Sequence, residues 1–443
     1  MTTAPVNSDP ATVPIAIAMQ RPRWRYTFQA LRLHNYRLYA IGQLIVNTSG
    51  WMQRIAVDWL VLEITGSVAL VGLTIALQFL PTLVLSAWAG VLADRLPKRA
   101  VLITAQSAIA GLNLVLAILA ITGNAQLWAV YALVLGVGVL QSIDGPARSA
   151  FVGEMVGPHH LRNAISVNAS IFHLGALLGP AISGVLIVAI GSGWAIGVNV
   201  IGCLVAVALL LGLCMHELLR APRAPGGRGQ IREAVRYMMR KPTIVWPMLL
   251  LAVMSTFGMS MPAILAAMAD DVYGTGATGY GLYNSLLAVG ALAGAVASTR
   301  RSSLRLRTMV LVAMLYGALV VLAGLAPFTV MFLGLLVTMG FTRLLFGTAT
   351  ETMIQLSSNM TIRGRIMSFW VMVLVGGQAI GGPIIGAVAQ FWGPRTALVI
   401  SGAVPALAAV AIAIVLARSR QLSVRIQPKR RGSWVAIVPR AGS

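Results

Sequence analysis

The chain has 443 residues, of which 58% are apolar and only 10% are Asp, Glu, Lys or Arg. Soluble domains carry about 25% charged residues, so this composition excludes an ordinary water-soluble protein. The charged residues comprise 33 basic and 11 acidic side chains, and the formal net charge is +22. Such an excess would by itself suggest nucleic acid as a partner, but the positions of the basic residues argue against that interpretation.

Long apolar segments follow one another along almost the whole chain. A helix needs about 20 apolar residues to cross a hydrocarbon layer, and backbone groups in lipid must bond within helices or a closed barrel. The runs lack the alternation of barrel strands, so we predict an all-α integral membrane protein with twelve transmembrane helices. The predicted segments are 38–63, 69–92, 100–122, 127–147, 163–190, 194–214, 244–268, 279–298, 308–326, 328–348, 364–390 and 395–417.

The basic residues follow the order of these segments. Of the 33 Lys and Arg, 30 are assigned to the N-terminal arm, alternate connections and the tail. Arg54 and Arg343 lie within segments, and only Arg395 falls on the opposite side. Short loops rich in Lys and Arg stay on the cytoplasmic side. We therefore predict a multi-pass protein of the cell membrane with both termini cytoplasmic. Anionic lipid headgroups, rather than nucleic acid, are the expected partners of the basic loops.

An internal repeat divides the chain into two halves. Residues 162–184 and 365–386 read alike at an offset of 203 positions, which places Gly179-Pro180 on Gly382-Pro383. The repeat predicts two pseudo-symmetric six-helix bundles, the architecture of a secondary transporter. The predicted divisions are a cytoplasmic N-terminal arm (1–37), a first bundle (38–214), a basic linker with a short amphipathic helix (215–243), a second bundle (244–417) and a basic cytoplasmic tail (418–443).

The connection after the second segment reads GVLADRLPKR, from Gly90 to Arg99. It resembles the loop motif between helices two and three of the major facilitator superfamily, with Pro97 where that motif usually has a second Gly. Segments 51–67, 144–168 and 353–368 are similar to the facilitator subfamily that includes enterobactin exporters, macrolide exporters and mycobacterial Tap-type multidrug pumps. The resemblance covers about residues 30 to 420.

The resemblance implies the major facilitator fold, alternating access and proton-driven export of a small amphipathic molecule by a monomer. A lysophospholipid flippase of the same superfamily is the alternative, and a non-transporting receptor or scaffold is a remote one. The motif implies a cytoplasmic gate, in which we expect Glu351 to pair with Arg300 or Arg301. The candidate gate residues are Gly90, Asp94, Arg95, Lys98, Arg99, Arg148 and Glu351.

A glycine pattern in the fifth segment resembles the antiporter motif of drug and proton exchangers. It consists of Gly175, Gly179, Pro180 and Gly184. Glycines four residues apart also make a flat helix face for close packing, and segment 377–383 repeats much of the pattern in the other half. Both interpretations, antiport and packing, are therefore open.

The first segment carries polar side chains within an arc of about 60°, at 100° per residue. They are Gln43, Asn47, Arg54 and Asp58, and we expect them to line a central cavity. Ionisable groups within a span are costly and usually face a cavity or a partner. Asp58 is therefore the candidate proton-exchanging carboxylate, with Arg54 modulating its proton affinity; a permanent i, i+4 ion pair between the two is the alternative.

Other polar and flexible side chains within the segments complete the candidates. Asp144 is either a second proton carrier or a gate residue that contacts Arg95 or Arg99. The remaining candidates for the substrate cavity are Gln141, His173, Met254, Met259, Thr338 and Arg343. The plainer interpretations are that His173 is a packing histidine, that Met254 and Met259 are core methionines, and that Arg343 reaches the interface.

Motifs typical of enzymes are absent from the sequence. It contains no P-loop lysine motif, no nucleophile elbow and no His/Cys cluster with metal-ligand spacing. We therefore expect no enzyme activity, no cofactor and no metal, with protons and a small molecule as the transported partners.

Overall fold

The computed structural model describes residues 29–218, 230–299, 306–359, 362–419, 422–426 and 435–439. Twelve long helices account for the twelve predicted segments, so the predicted helical architecture is confirmed. Their bounds are α1 His34–Thr65, α2 Val68–Arg95, α3 Lys98–Ile121, α4 Leu127–Gly157, α5 Asn163–Ile190, α6 Ser192–Leu211, α7 Pro242–Val272, α8 Gly276–Thr299, α9 Leu306–Gly324, α10 Thr329–Ser357, α11 Arg363–Trp392 and α12 Pro394–Ser419.

Helices α2 to α12 are each long and apolar enough to cross a membrane. Helix α1 is equally long, at 32 residues, but its polar face interrupts the apolar sequence. It packs closely against its neighbours, with Gly42 against Leu209 of α6 and Gly179 of α5 against Trp51. Helix α1 is thus the twelfth spanning helix, and its polar face is directed into the first bundle.

Several predicted helix ends were too short. Helix α4 continues ten residues past its predicted end at 147, up to Gly157, where φ is 64° and only glycine is unstrained. The extension forms because Phe151, Val152 and Met155 are buried against the start of α1. Helix α10 likewise runs to Ser357 because Ile354 is buried beyond the apolar window.

Helix α7 is interrupted rather than continuous. A π-helical turn at Met254–Gly258 precedes a short break, and a second π-helical turn at Met268–Val272 ends the span. Pro262 starts the second helical part, Pro262–Ala267, because proline lacks the N–H that would continue the first. Such irregularities were not predicted, although Ser255, Gly258 and Pro262 lie at the interruption, because the segment as a whole is long and apolar enough to be one continuous span.

The two halves follow one packing plan. In the first half α5 packs on α1, with Gly179 against Trp51 and Thr48. In the second half α11 packs on α7, with Gly381 against Thr256. The shared contact lies at an offset of 202 positions, one fewer than the sequence repeat, because Gly382, which the repeat places on Gly179, lies against Gly72 of α2. Equivalent close contacts in both halves support the packing interpretation of both glycine patterns.

Glycines also join the halves to each other. Gly184 of α5 lies against Gly281 of α8, and Gly72 of α2 lies against Gly382 and Gly386 of α11. These residues lie toward the ends of the helices opposite the linker, a side that we call the far side; the linker lies on the linker side. The halves are therefore closed together on the far side, through two pseudo-symmetric crossings.

The linker contains the predicted short helix, at Gln230–Met239. Glu233 in this helix accepts a bond from Arg365 of α11 at 3.2 Å, and Lys241 donates to the Ser357 carbonyl of α10 at 3.3 Å. The helix is thus attached to the second half. In the tail, Leu422–Ile426 and Val435–Pro439 pair as antiparallel strands, an addition to the predicted all-α plan.

The far-side crossing leaves no room for a larger side chain. A Cβ at Gly281 would lie 2.5 Å from the Pro180 carbonyl oxygen, whereas a Cβ at Gly334 of α10 would meet no atom within 4 Å. We expect Gly281→Val to destabilise this closed arrangement by about 1–3 kcal/mol and to lower the melting temperature of the purified protein. Gly334→Val is the matched control; an equal loss in both variants would contradict the crossing.

Candidate functional site

A cavity of about 300 Å³ lies inside the first half. It is bounded by α1, α3, α4, α5 and α6, and it extends from the middle of the bundle toward the linker side. Its lining residues are Gln43, Val46, Asn47, Gly50, Trp51, Gln53, Arg54, Gln106, Ile109, Gln141, Asp144, Gly145, Arg148, Phe172, Asn199 and Cys203. The wall is therefore rich in amides, with two arginines and two aromatic rings.

Some of the predicted residues line this cavity and others do not. Gln43, Asn47, Arg54 and Gln141 line it, as do Asp144 and Arg148. Sequence reasoning missed Gln53, Gln106 and Asn199, although each is an isolated amide in an apolar span, a signal that could have found it. Trp51 and Phe172 were also missed, because an aromatic residue in a membrane span is unremarkable by sequence alone.

Asp144 and Arg148 form a hydrogen-bonded ion pair one helical turn apart on α4. Arg148 Nη2 lies 2.7 Å from Asp144 Oδ2, and Gln106 Nε2 of α3 donates to Asp144 Oδ1 at 3.0 Å. Arg148 also donates to Gln43 of α1. The pair thus joins three helices. Arg99, one of the two predicted partners of Asp144, donates instead to the Leu210 and Leu211 carbonyls at 2.8 Å. The side chain of the other, Arg95, lies outside the described residues.

Arg54 lies in the cavity wall without an acidic partner. It donates to Gln141 Oε1 at 3.2 Å, and its guanidinium lies 5.1 Å from the Trp51 ring and 5.3 Å from the Phe79 ring. Among the described residues no carboxylate oxygen lies within 4.0 Å of it. The ion pair that the i, i+4 spacing suggests with Asp58 is therefore absent, because the two rings and Gln141 hold Arg54 at the cavity.

Asp58 is buried beyond the cavity, with 3% of its surface exposed. Its Oδ1 accepts a bond from Gln78 Nε2 of α2 at 3.3 Å, and its Oδ2 accepts one from the Tyr280 hydroxyl of α8 at 3.0 Å. Helix α8 belongs to the other half. The carboxylate is therefore satisfied by neutral donors from two helices, one of which crosses the boundary between the halves.

A small void adjoins the cavity on the side of α2. Its volume is about 10 Å³, roughly that of one water probe. Gln53, Arg54 and Gln141 line both the void and the cavity, while Gln78 lines the void and donates to Asp58. Asp58 itself does not line the void, and Gln78 connects the void to the buried carboxylate.

Other predicted cavity residues lie elsewhere. His173 is half-buried and meets Phe172 edge-on, with ring centroids 5.7 Å apart. Met254 and Met259 are buried in an apolar cluster that extends through both halves. The Thr338 hydroxyl donates to the Leu335 carbonyl at 2.8 Å. Arg343 is half-buried in α10. None of the five lines the 300 Å³ cavity.

The predicted gate residues are described in part. Lys98 pairs with Glu154 at 3.0 Å, which ties α3 to α4 within the first half. Glu351 accepts a bond from Gln355 at 3.0 Å on its own helix. The side chains of Asp94 and Arg95 and the surroundings of Gly90 lie outside the described part of the chain. So do Arg300 and Arg301, which are the predicted partners of Glu351.

The described residues hold no cluster of three or more His, Cys, Asp or Glu side chains with the geometry of a metal site. Chemically, the site therefore consists of one ion pair, one unpaired cation, one buried carboxylate and a set of amides around a chamber. That arrangement can hold a polar molecule and exchange a proton, and it offers no activated nucleophile.

The chain belongs to the transmembrane secretion effector family of major facilitator transporters, whose sequence profile matches residues 26–433. It is therefore a multi-pass membrane transporter by family, and the resemblance suggested by its motifs is confirmed. It is 25% identical over 407 residues to the enterobactin exporter EntS of Shigella boydii serotype 4 (strain Sb227), a match that covers 91% of this chain and 97% of that protein. EntS of Escherichia coli O1:K1 matches to the same extent.

Solved structures share the fold. A bacterial homologue of the human lysosomal transporter Spinster, in an inward-facing and unoccupied conformation, superposes with a TM-score of 0.69 at 16% identity, over 87% of this chain and 98% of that one. A bacterial homologue of the iron transporter ferroportin in an inward-facing state gives 0.69 at 17% identity, over 86% and 98%. The nucleoside transporter NupG gives 0.68 at 14% identity, over 86% and 99%.

The ion pair on α4 should contribute to the free energy of unfolding of the protein. Removal of one partner from a buried pair leaves an uncompensated charge, at a cost of roughly 3 kcal/mol. We expect Asp144→Asn to lower the free energy of unfolding by about that amount, and Asp144→Asn combined with Arg148→Gln to cost less than the two single changes together. Denaturant titration in detergent measures the free energy of unfolding of Asp144→Asn, of Arg148→Gln and of the double variant.

The exposed pair of Glu233 and Arg365 supplies the control. Glu233→Gln should cost less than about 1 kcal/mol, because exposed ion pairs contribute little. Additive costs for the Asp144 and Arg148 changes would contradict a coupled pair in the cavity wall.

Proposed function

We propose that the chain is a proton-coupled exporter of small amphipathic molecules, either drugs or siderophore-like metabolites, that works by alternating access. The environment of Asp58 carries the proposal. It is a buried carboxylate that no described cation contacts, it is linked by polar groups to a chamber, and it is bonded to the opposite half of the protein. Carboxylates buried in membrane spans mark proton and substrate pathways.

The chamber supports an amphipathic substrate. Amides of Gln43, Asn47 and Gln141 and the guanidinium of Arg54 offer hydrogen bonds, while the rings of Trp51 and Phe172 offer apolar contact. Small-molecule sites combine such apolar walls with a few placed polar groups. The names of the enterobactin exporters, which match over most of the chain, support export and a metabolite substrate.

The orientation follows from the charges. The arm, the linker and the tail carry most of the 33 basic residues, so the linker side is assigned to the cytoplasm and both termini with it. The far side, where the glycine crossings lie, is then the external side. Because that side is closed, the conformation is inward-facing. In this assignment the protein is a monomer of the cell membrane whose basic loops meet anionic lipid headgroups, with no nucleic-acid partner.

Proton exchange in the inward-facing arrangement uses the small void. The proposed route runs from Asp58 past the Gln78 amide to a water molecule in the void, and from there past Arg54 to water in the chamber. Arg54, whose guanidinium lines both the void and the chamber, is the proposed modulator of the proton affinity of Asp58. Asp144 is held by Arg148 and Gln106, so its proposed role is to support the chamber rather than to carry the proton.

We expect Asp58→Asn to abolish efflux driven by a pH gradient while it leaves protein abundance normal. The amide preserves shape and can accept from Tyr280, but it cannot release a proton. Everted membrane vesicles, energised or collapsed with an ionophore, measure the effect with a panel that includes a siderophore, a macrolide and a lysophospholipid.

Glu63 provides a matched control on the same helix. It is an exposed carboxylate that accepts bonds from Trp59 at 2.7 Å and Ser192 at 3.0 Å. Glu63→Gln should keep gradient-driven transport within about twofold, because an exposed hydrogen bond contributes little. Undiminished gradient-driven transport in Asp58→Asn would overturn proton coupling at this residue, and transport of the lysophospholipid alone would favour a flippase.

A further inference from the structure

The bond between Asp58 and Tyr280 differs from the other bonds of the site because it joins the two halves. Tyr280 is fully buried, and its ring stacks on Trp59 of α1, with centroids 6.2 Å apart and planes 27° apart. The next residue, Gly281, lies in the far-side crossing against Pro180 and Gly184 of α5. The hydroxyl therefore reaches the carboxylate from a helix that must move when the far side opens.

The strength of this bond depends on the charge of Asp58. A hydroxyl group that donates to a carboxylate makes a shorter and stronger hydrogen bond than a hydroxyl group that donates to a neutral acid. The charged neighbours on α1 are Arg54 on the chamber side and Glu63 toward the far end, and α2 offers the neutral Gln78. Segment 259–269 of α7 contains no ionisable residue, and α5 contributes Ser183, whose hydroxyl is bonded to the Met52 carbonyl.

We propose that Tyr280 is the residue that couples the protonation of Asp58 to the far-side gate. The inference rests on the proposed role of Asp58 in proton exchange. While Asp58 is ionised, the Tyr280 hydroxyl holds α8 against α1 and keeps the far side closed. When Asp58 takes up a proton the bond weakens, so the two halves separate more readily on that side.

This arrangement prevents a proton leak. An exporter without substrate wastes the gradient if both the protonated and the ionised forms change sides freely. The bond to Tyr280 is weak in the protonated form, so that form can open the far side. The bond is strong in the ionised form, so without substrate that form stays closed on the far side. Tyr280 is a positioning residue in this scheme, since it neither carries the proton nor lines the chamber.

The test uses the full chain in proteoliposomes that enclose a pH-sensitive dye. Tyr280→Phe keeps the ring and its stack on Trp59 but removes the hydroxyl. We expect the proton leak under an imposed pH gradient, with no substrate present, to rise about tenfold, because a bond to a charged acceptor of this kind shifts an equilibrium by at least that factor. The leak should disappear again when Asp58→Asn is added.

Tyr283 is the matched control on the same helix. Its hydroxyl lies 2.9 Å from Thr275 Oγ1, within its own half, so Tyr283→Phe removes a buried hydroxyl without removing a contact between the halves. We expect no increase in leak from this variant. An equal leak in both variants, or none in Tyr280→Phe, would overturn the proposal.

A second readout covers the case in which Tyr280→Phe transports poorly for other reasons. Ser285 donates to the Leu177 carbonyl of α5 at 3.2 Å, inside the same contact between the halves. In a chain with Cys203 and Cys214 replaced by Ala, Ser285→Cys should react with an impermeant thiol reagent from the far side about tenfold faster when Tyr280 is Phe. An unchanged rate would also overturn the proposal.

The two proposals fail in different ways. Asp58→Asn could lose gradient-driven transport while Tyr280→Phe shows no increased proton leak. That result would support proton coupling at Asp58 and contradict the role of Tyr280. Full transport in Asp58→Asn would remove proton coupling itself.

Discussion

A carboxylate inside a membrane protein must find hydrogen-bond donors within the protein, since no bulk water reaches it. Asp58 satisfies that requirement with Gln78 from its own half and Tyr280 from the other. The same constraint explains why the bond lies beside the glycine crossing: only where two helices approach closely can a hydroxyl from one half reach a carboxylate of the other. The burial of Asp58, the closure of the far side and the hydrogen bonds of the carboxylate therefore all depend on the close approach of these helices.

The two halves share their packing but not their chemistry. Gly179 and Gly381 occupy similar helix contacts, yet the amides, the arginines and the ion pair of the chamber all lie in the first half. The corresponding α7 of the second half has no ionisable residue between Pro242 and Ala269, and it contains buried Met254 and Met259 and two π-helical turns. The first half therefore holds the polar groups that line the chamber, and the second half closes on it and supplies Tyr280.

Local pattern in the sequence was enough for the helices, the repeat and the polar face of α1, because each depends on residues a few positions apart. It was also enough for Gln43, Asn47 and Arg54 as cavity residues. It could not reveal that Arg54 lies between Trp51 and Phe79 rather than on Asp58, since the i, i+4 rule ignores neighbouring helices. Tyr280 lies 222 residues from Asp58 along the chain, and no periodicity connects them. His173 and Thr338 were predicted by polarity alone, and polarity does not specify which side of a helix meets the cavity.

If the charge of Asp58 controls closure of the far side, helix α8 should loosen when that residue is protonated. Hydrogen–deuterium exchange measures this in the backbone amides of 276–287, compared at acidic and mildly alkaline pH after correction for the intrinsic exchange rate. We expect faster exchange at acidic pH in the unaltered protein and exchange that does not depend on pH in Asp58→Asn. The same pH dependence in both proteins would contradict it.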